Sequence, residues 1–338
     1  MNALALHEIA ENEQRSPSGK FHSFARNISI ALGCIRNLGT WGGGHPFDVQ
    51  IRRIPPGAAV CPFHAHLNQW EFFLVRSGTG NVRTAHGHDP VRPGDFFLHP
   101  PGEAHQLINN GTDDLEVLIV ADNPQLDAFY YPDSDKWGLR PPDVFFRPTP
   151  AHYFDGEEVF DPSATPRGLL PLPEPALPWS QRKLNLDDVP WETWSSPKGT
   201  FRGNSKELSI ALGAKRNTAT GLGGHPFDVE FGRLAPGECG CPFHSHAAQW
   251  ELFIFLSSRA TVRADSETHE FPAGTIVLHP PGEAHQFRNS GSEPLDYLLI
   301  ADNPLVDYWH YPDSNKWGVR TPRKYFRMTE ADYYDGEE

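Results

Sequence analysis

CPFHAHLNQWE occupies Cys61 to Glu71, and CPFHSHAAQWE occupies Cys241 to Glu251. The offset is 180 residues. At the same offset LHPPGEAHQ stands at Leu98 to Gln106 and again, letter for letter, at Leu278 to Gln286. Residues 16–158 lie over 196–338 without a gap, and 71 of those 143 positions are identical. The chain is therefore a tandem duplication, and such a period sets the fold before any single residue does. The parts read as an N-terminal extension (1–15), a first domain (16–158), a Pro-rich linker (159–195) and a second domain (196–338). LLPLPEPALPW within the linker favours an extended, semi-rigid connector.

Within each copy the apolar pattern is short. FDVQIRRI, EFFLVR, NVRTA, DFFLHP and LEVLIVAD are separated by Pro-Gly, Ser-Gly and Asn-Gly turn signals, the rhythm of a β-sandwich or barrel. The chain has 33 prolines and 30 glycines in 338 residues, which disfavours long helices. The fold class read from this is all-β, one small antiparallel barrel per copy. Two barrels can bury open edges against each other, an arrangement that a lone barrel would reach by dimerising.

The net charge of −14 opposes binding to phosphate backbones, and no Lys/Arg cluster offsets it, so nucleic acid is not expected as a partner. No apolar run is long enough to cross a bilayer. The opening MNALALHEIAENEQ carries acids early, which argues against a secretory signal, and a cytoplasmic location is expected. The partner expected is a small-molecule substrate, and homo-oligomerisation stays open. Cys34, Cys61, Cys239 and Cys241 do not form a disulfide-like framework. Cys239-Gly-Cys241 reads better as small buried thiols than as a metal or redox pair.

Side chains two apart on a strand share a face, so His64 and His66 point the same way. Glu71 opens the next strand and His105 follows from a third. The second copy repeats all four as His244, His246, Glu251 and His285. Three imidazoles and one carboxylate form a nitrogen/oxygen site suited to Fe, Mn, Ni, Cu or Zn, one divalent transition metal per copy and two per chain. Buried without a cation, such a cluster would be costly.

At these spacings the chain resembles the cupin superfamily, specifically a bicupin. The first motif of that family falls on Gly57, His64, His66, Glu71 and Gly78, the second on Gly94, Pro100, Gly102, His105 and Asn109. In the second copy they fall on Gly237, His244, His246 and Glu251, then Gly274, Pro280, Gly282, His285 and Asn289. Ser258 replaces the closing glycine of the first motif, which puts a turn in question and not the site. The resemblance implies two tandem jelly-roll barrels related by pseudo-two-fold symmetry, with a metal inside each. It also implies an oxygenase acting on a small enol-, catechol- or flavonol-like substrate, with Glu71 and Glu251 taking a proton. Two alternatives stay open: a metal-dependent sugar or sugar-phosphate isomerase or epimerase, and a non-enzymatic small-molecule-binding bicupin. His99 and His279 read as flanking residues of a ligand set already complete. His45, Asp48 and Arg53, with His225, Asp228 and Arg233, are candidates for carboxylate or phosphate binding. The aromatic, Asp-rich segments ADNPQLDAFYYPDSDKWG and ADNPLVDYWHYPDSNKWG read as interface packing or as a lid.

Overall fold

The expected strands form where the apolar alternation places them. The computed structural model describes residues 2–140, 143–149, 178–320, 323–331 and 333. Most of the Pro-rich run and both DGEE ends lie outside them. Among the described residues helix is confined to single turns such as Ile28–Ala31 and Leu208–Ala211. The chain divides into two compact units: Glu11–Arg26 with Ile35–Lys183, and Met1–Ala10, Asn27–Cys34 with Leu184–Glu338.

In the unit holding the first copy, a large antiparallel sheet runs Asp95–His99, Glu71–Ser77, Leu115–Asp122, Phe47–Ile54, His22–Asn27, Asn12–Arg15. Two smaller sheets complete the jelly roll. One joins His105–Ile108, Gly80–Thr84 and Gly87–Val91, and the other joins Val144–Phe146, Lys136–Arg140, Asp127–Tyr131 and Ala65–His66. Strand alternation sends Ile54, Phe73, Val75, Phe97, Val117 and Ile119 into one core. The matching core of the other unit contains Leu234, Phe253, Phe255, Val277, Phe287 and Tyr297. No cysteine is bonded to another.

Before residue 16 only Leu4 and Leu6 are identical to their counterparts at the repeat offset, Leu184 and Leu186, but the elements recur there too. Asn2–Ala5, Leu6–Glu8 and Asn12–Arg15 return at the same offset as Lys183–Asn185, Leu186–Asp188 and Glu192–Ser195. Asn2–Ala5 pairs with Thr275–His279 at the edge of the second copy's large sheet. The turn in question is intact. Gly78 has φ +78°, and a Cβ there would lie 2.3 Å from the Asp114 carbonyl oxygen. Ser258 takes the same left-handed region at φ +56° and donates its hydroxyl to the Glu293 carbonyl at 2.9 Å, which offsets part of the strain.

Residues Trp179–Arg182 cover the base of the first barrel. The Arg182 guanidinium, 4% exposed, forms a bidentate pair with Glu103, and its carbonyl accepts from the Leu98 N–H. Burial alone would raise the Glu103 pKa, but hydrogen bonds from Arg182 and His99 hold it down at about 2. Breaking one partner of a buried pair leaves an uncompensated charge. Arg182→Met is therefore expected to cost about 3 kcal/mol in chemical denaturation at neutral pH. The ordinary carboxyl of the unfolded chain, at 4.5, takes its proton first. This contribution is thus complete above pH 4.5 and is lost as pH falls towards 2, a trend that melting curves would show in the parent and not in the variant.

Candidate metal centre

His64 leads into the two-residue strand Ala65–His66, Glu71 opens Glu71–Ser77, and His105 opens His105–Ile108. The His64 and His105 backbones are bridged, which sets their rings 4.8 Å apart. Each Nδ1 is spoken for. That of His64 lies 3.0 Å from the Pro62 carbonyl, that of His105 lies 3.1 Å from the Glu103 carbonyl, and that of His66 lies 2.5 Å from Asp127 Oδ2. These oxygens accept, so each Nδ1 carries the hydrogen and each Nε2 presents a lone pair. The Nε2 atoms of His64 and His66 nevertheless sit 3.1 Å apart, and His105 Nε2 sits 2.8 Å from Glu71 Oε2. Lone pairs aimed at one another in a buried site need a cation between them. The donor set fits a divalent transition metal on this ground.

The second copy reproduces the arrangement. The Nδ1 atoms of His244, His246 and His285 face the Pro242 carbonyl, Asp307 Oδ2 and the Glu283 carbonyl at 2.9, 2.6 and 3.3 Å. His285 Nε2 is 2.8 Å from Glu251 Oε2. The ligand atoms of His64, His66 and Glu71 lie within 4.8 Å of one another, as do those of His244, Glu251 and His285.

At His64, His244, Glu71 and Glu251 the electrostatics agree with this donor set. Burial, followed by the neighbouring imidazoles, pushes His64 well below its ordinary range and His244 down to about 3. Burial would raise Glu71 and Glu251, but the surrounding histidines hold both carboxyls well below the usual range. His66 is raised: burial opposes it, and the hydrogen bond and charge of Asp127 together with Glu71 prevail.

His99 and His279 are buried behind the centre. Their rings stack on His105 and His285 at 3.9 Å, and each gives Nδ1–H to Glu103 or Glu283 at 2.7 Å. Trp179 stacks on the far face of His99 at 5.2 Å. These contacts fix the ring plane of His105. Gln69 and Gln249 donate to the carbonyls of Asp122 and Asp302, and Gln106 and Gln286 to those of Cys61 and Cys241, so these amides brace loops. Arg53 is held by Glu11 and Asp114, and Arg233 by Asp296, which removes both as anion binders. The Asp-rich segments are strands beside the ligands. Phe129 pairs with His66, and Tyr131 stacks on His64 at 6.0 Å. Sequence reasoning did not single out Asp127 or Asp307, although both stand at the repeat offset.

Residues 50–121 and 230–301 each match the cupin domain family. The chain is a bicupin of the cupin superfamily. The bicupin is 21% identical to oxalate decarboxylase OxdC of Bacillus subtilis over 317 residues, 84% of this chain and 77% of that one. A solved structure of oxalate decarboxylase from Bacillus subtilis shares the fold, with TM-score 0.52 and 15% identity over 91% of this chain and 78% of that one. Shorter similarities join it to auxin-binding protein 1 of Arabidopsis thaliana, 33% over 95 residues, and to gentisate 1,2-dioxygenase of Ralstonia sp, 33% over 75 residues. The bicupin spans 47% of the former and 21% of the latter, and those matches take in 25% and 22% of its own length.

A carboxylate that orients a ligating imidazole typically tunes metal affinity by 10–100-fold. Asp127→Asn is expected to weaken the first centre by roughly that factor and to leave the second unchanged. Competition with a chromophoric chelator would resolve the two classes of site.

Proposed function

We propose that His64, His66, Glu71 and His105 hold one divalent transition metal, that His244, His246, Glu251 and His285 hold a second, and that the bicupin is an oxygenase of a small enol-, catechol- or flavonol-like substrate. The observation that carries the metal reading is the convergence of Nε2 lone pairs whose tautomer is fixed from behind. A metal bound there would supply Lewis acidity to a substrate oxygen and, if redox-active, electrons for dioxygen. Four protein ligands leave room for an exogenous one on a metal that prefers five or six.

The chain's own groups do the rest. Asp127 and Asp307 fix the rings of His66 and His246. Phe73 and Phe97 stack 5.2 Å apart in the first core, and Phe253 and Phe287 pack 4.9 Å apart in the other unit, and such ring faces suit a planar substrate. The surrounding histidines favour the ionised form of Glu71 and Glu251, and a carboxylate there can accept the proton of a substrate hydroxyl. The short similarity to a dioxygenase supports the oxygen-using reading. The longer similarity to oxalate decarboxylase favours a second reading, carbon–carbon cleavage of a small carboxylate without net oxygen use.

Turnover should consume dioxygen and stop on chelation, as an oxygen electrode would register with enediol, catechol and flavonol substrates. Glu71→Gln with Glu251→Gln is expected to keep much of the metal and to slow turnover by about 10²-fold. Carbon dioxide release without oxygen uptake would favour the decarboxylase reading, and anaerobic aldose–ketose interconversion would favour an isomerase. His66→Ala should lose one of two bound ions by elemental analysis. If carefully reconstituted parent protein binds none, the metal reading is wrong.

A further inference from the structure

The two centres share a ligand set but not the residues on either side of it. In the first copy Gln50, Arg52 and Ile54 alternate on the face of Phe47–Ile54 that meets the core. Across the ladder Arg52 stands opposite Val117, and Gln50 stands opposite Ile119, whose next neighbour is Phe73. Gln50 is thus one inward step along the strands from the row that holds Glu71. Arg52 is 6% exposed. Its Nε donates to Gln50 Oε1 at 3.1 Å and its Nη1 to Ser23 Oγ at 3.0 Å. Among the described residues no carboxylate pairs with it. Burial lowers it to about 10, so it remains a cation at neutral pH. Towards the mouth, Arg140 is neutralised by Asp143 at 3.0 Å.

Each of these features is reversed in the second copy. Gly232 replaces Arg52, and a Cβ there would lie 2.0 Å from the Tyr297 ring, which fills the space. Tyr297, in place of Val117, donates its hydroxyl at 3.2 Å to Glu230, which replaces Gln50. Glu230 and Tyr297 line a cavity of about 400 Å³ together with His244 and Glu251. On the mouth side a cavity of about 1100 Å³ is lined by His246, Trp309, Tyr311 and Arg320. Arg320 Nη1 is buried without a partner, and its Nη2 reaches Gln249 at 3.2 Å. Arg323 replaces Asp143, so no acid stands where the first copy neutralises its arginine.

We infer that the two centres receive an anionic ligand in opposite orientations: the carboxylate end points inward onto Arg52 in the first copy and outward onto Arg320 in the second, where Glu230 and Tyr297 meet a hydroxyl. A guanidinium is the side chain best suited to a carboxylate, and a buried one lacking a counter-ion gains most from it. A carboxylate pushed inward in the second copy would meet Glu230 and an Arg216 already paired with Glu207. The inference rests on the metal reading proposed above, and the test separates the two.

His246→Ala confines metal to the first centre and His66→Ala to the second. Uptake of Co(II) by each is measured first, and failure there sinks the metal reading and not this one. Acetate is then titrated against the visible spectrum of the bound Co(II). In the first-centre protein Arg52→Leu should weaken acetate by roughly tenfold or more, Arg52→Lys should recover part of it, and Arg140→Leu should change it less than about twofold. In the second-centre protein Arg320→Leu should weaken acetate by a similar factor. Parental acetate affinity in Arg52→Leu or Arg320→Leu overturns the inference, and so does an Arg140→Leu loss equal to that of Arg52→Leu. If Arg52→Leu does not fold, Arg52→Gln provides the same comparison. The Arg320→Leu and Arg140→Leu arms stand on their own.

Discussion

Two imidazole nitrogens whose lone pairs face each other at 3.1 Å cannot be left alone inside an apolar barrel. Much of each half is arranged to keep them that way. Carbonyls of Pro62 and Glu103 and the carboxylate of Asp127 hold the three hydrogens at the rear of the rings. A strand that is otherwise unexplained, Asp127–Tyr131, brings in that carboxylate along with the aromatic rings beside His64 and His66. Behind His105 a stack of His99 and Trp179 removes its freedom to tilt. A centre this constrained is organised before any ligand arrives, which is the condition under which a polar site in a dry barrel is most effective.

Duplication fixed the ligand set twice, and divergence acted around it. The replacements are paired. Gly232 is tolerable in a strand because Tyr297 fills the space that a side chain would take, and Tyr297 in turn finds Glu230 for its hydroxyl. In the first copy the smaller Val117 leaves the row open for Arg52. Packing constraints of this kind make single changes costly and correlated ones easy, so the interior of each barrel carries its own character within one backbone.

The strands and the ligands were legible because period-two alternation and the His-x-His spacing are local signals. The role of Asp127 was not. It sits 61 residues from His66, and only the pairing of Phe129 with His66 brings the two together. Arg53 looked like an anion binder next to a histidine, yet its strand position turns it outward to Glu11 and Asp114, while Arg52, one residue away, faces the core. A one-residue difference decides the face, and sequence alone does not show which neighbour is satisfied. Residues 1–15 share only Leu4 and Leu6 with 181–195 although both fold into the same elements, because a short edge strand is held by backbone hydrogen bonds that carry little side-chain information.

That edge strand ties the order of synthesis to the order of folding. Asn2 pairs with Leu278 and Ala5 with Thr275, so this strand is made about 270 residues before its partner. Until then its backbone donors and acceptors are open to any other strand edge, the hazard that barrels otherwise abolish. Loop closure over such a separation is slow relative to the local hairpins around it. The first copy has the same dependence on a smaller scale, since Leu98 waits for Arg182. A gene cut at the boundary of the visible repeat would therefore yield two fragments, each lacking the strand that seals its sheet.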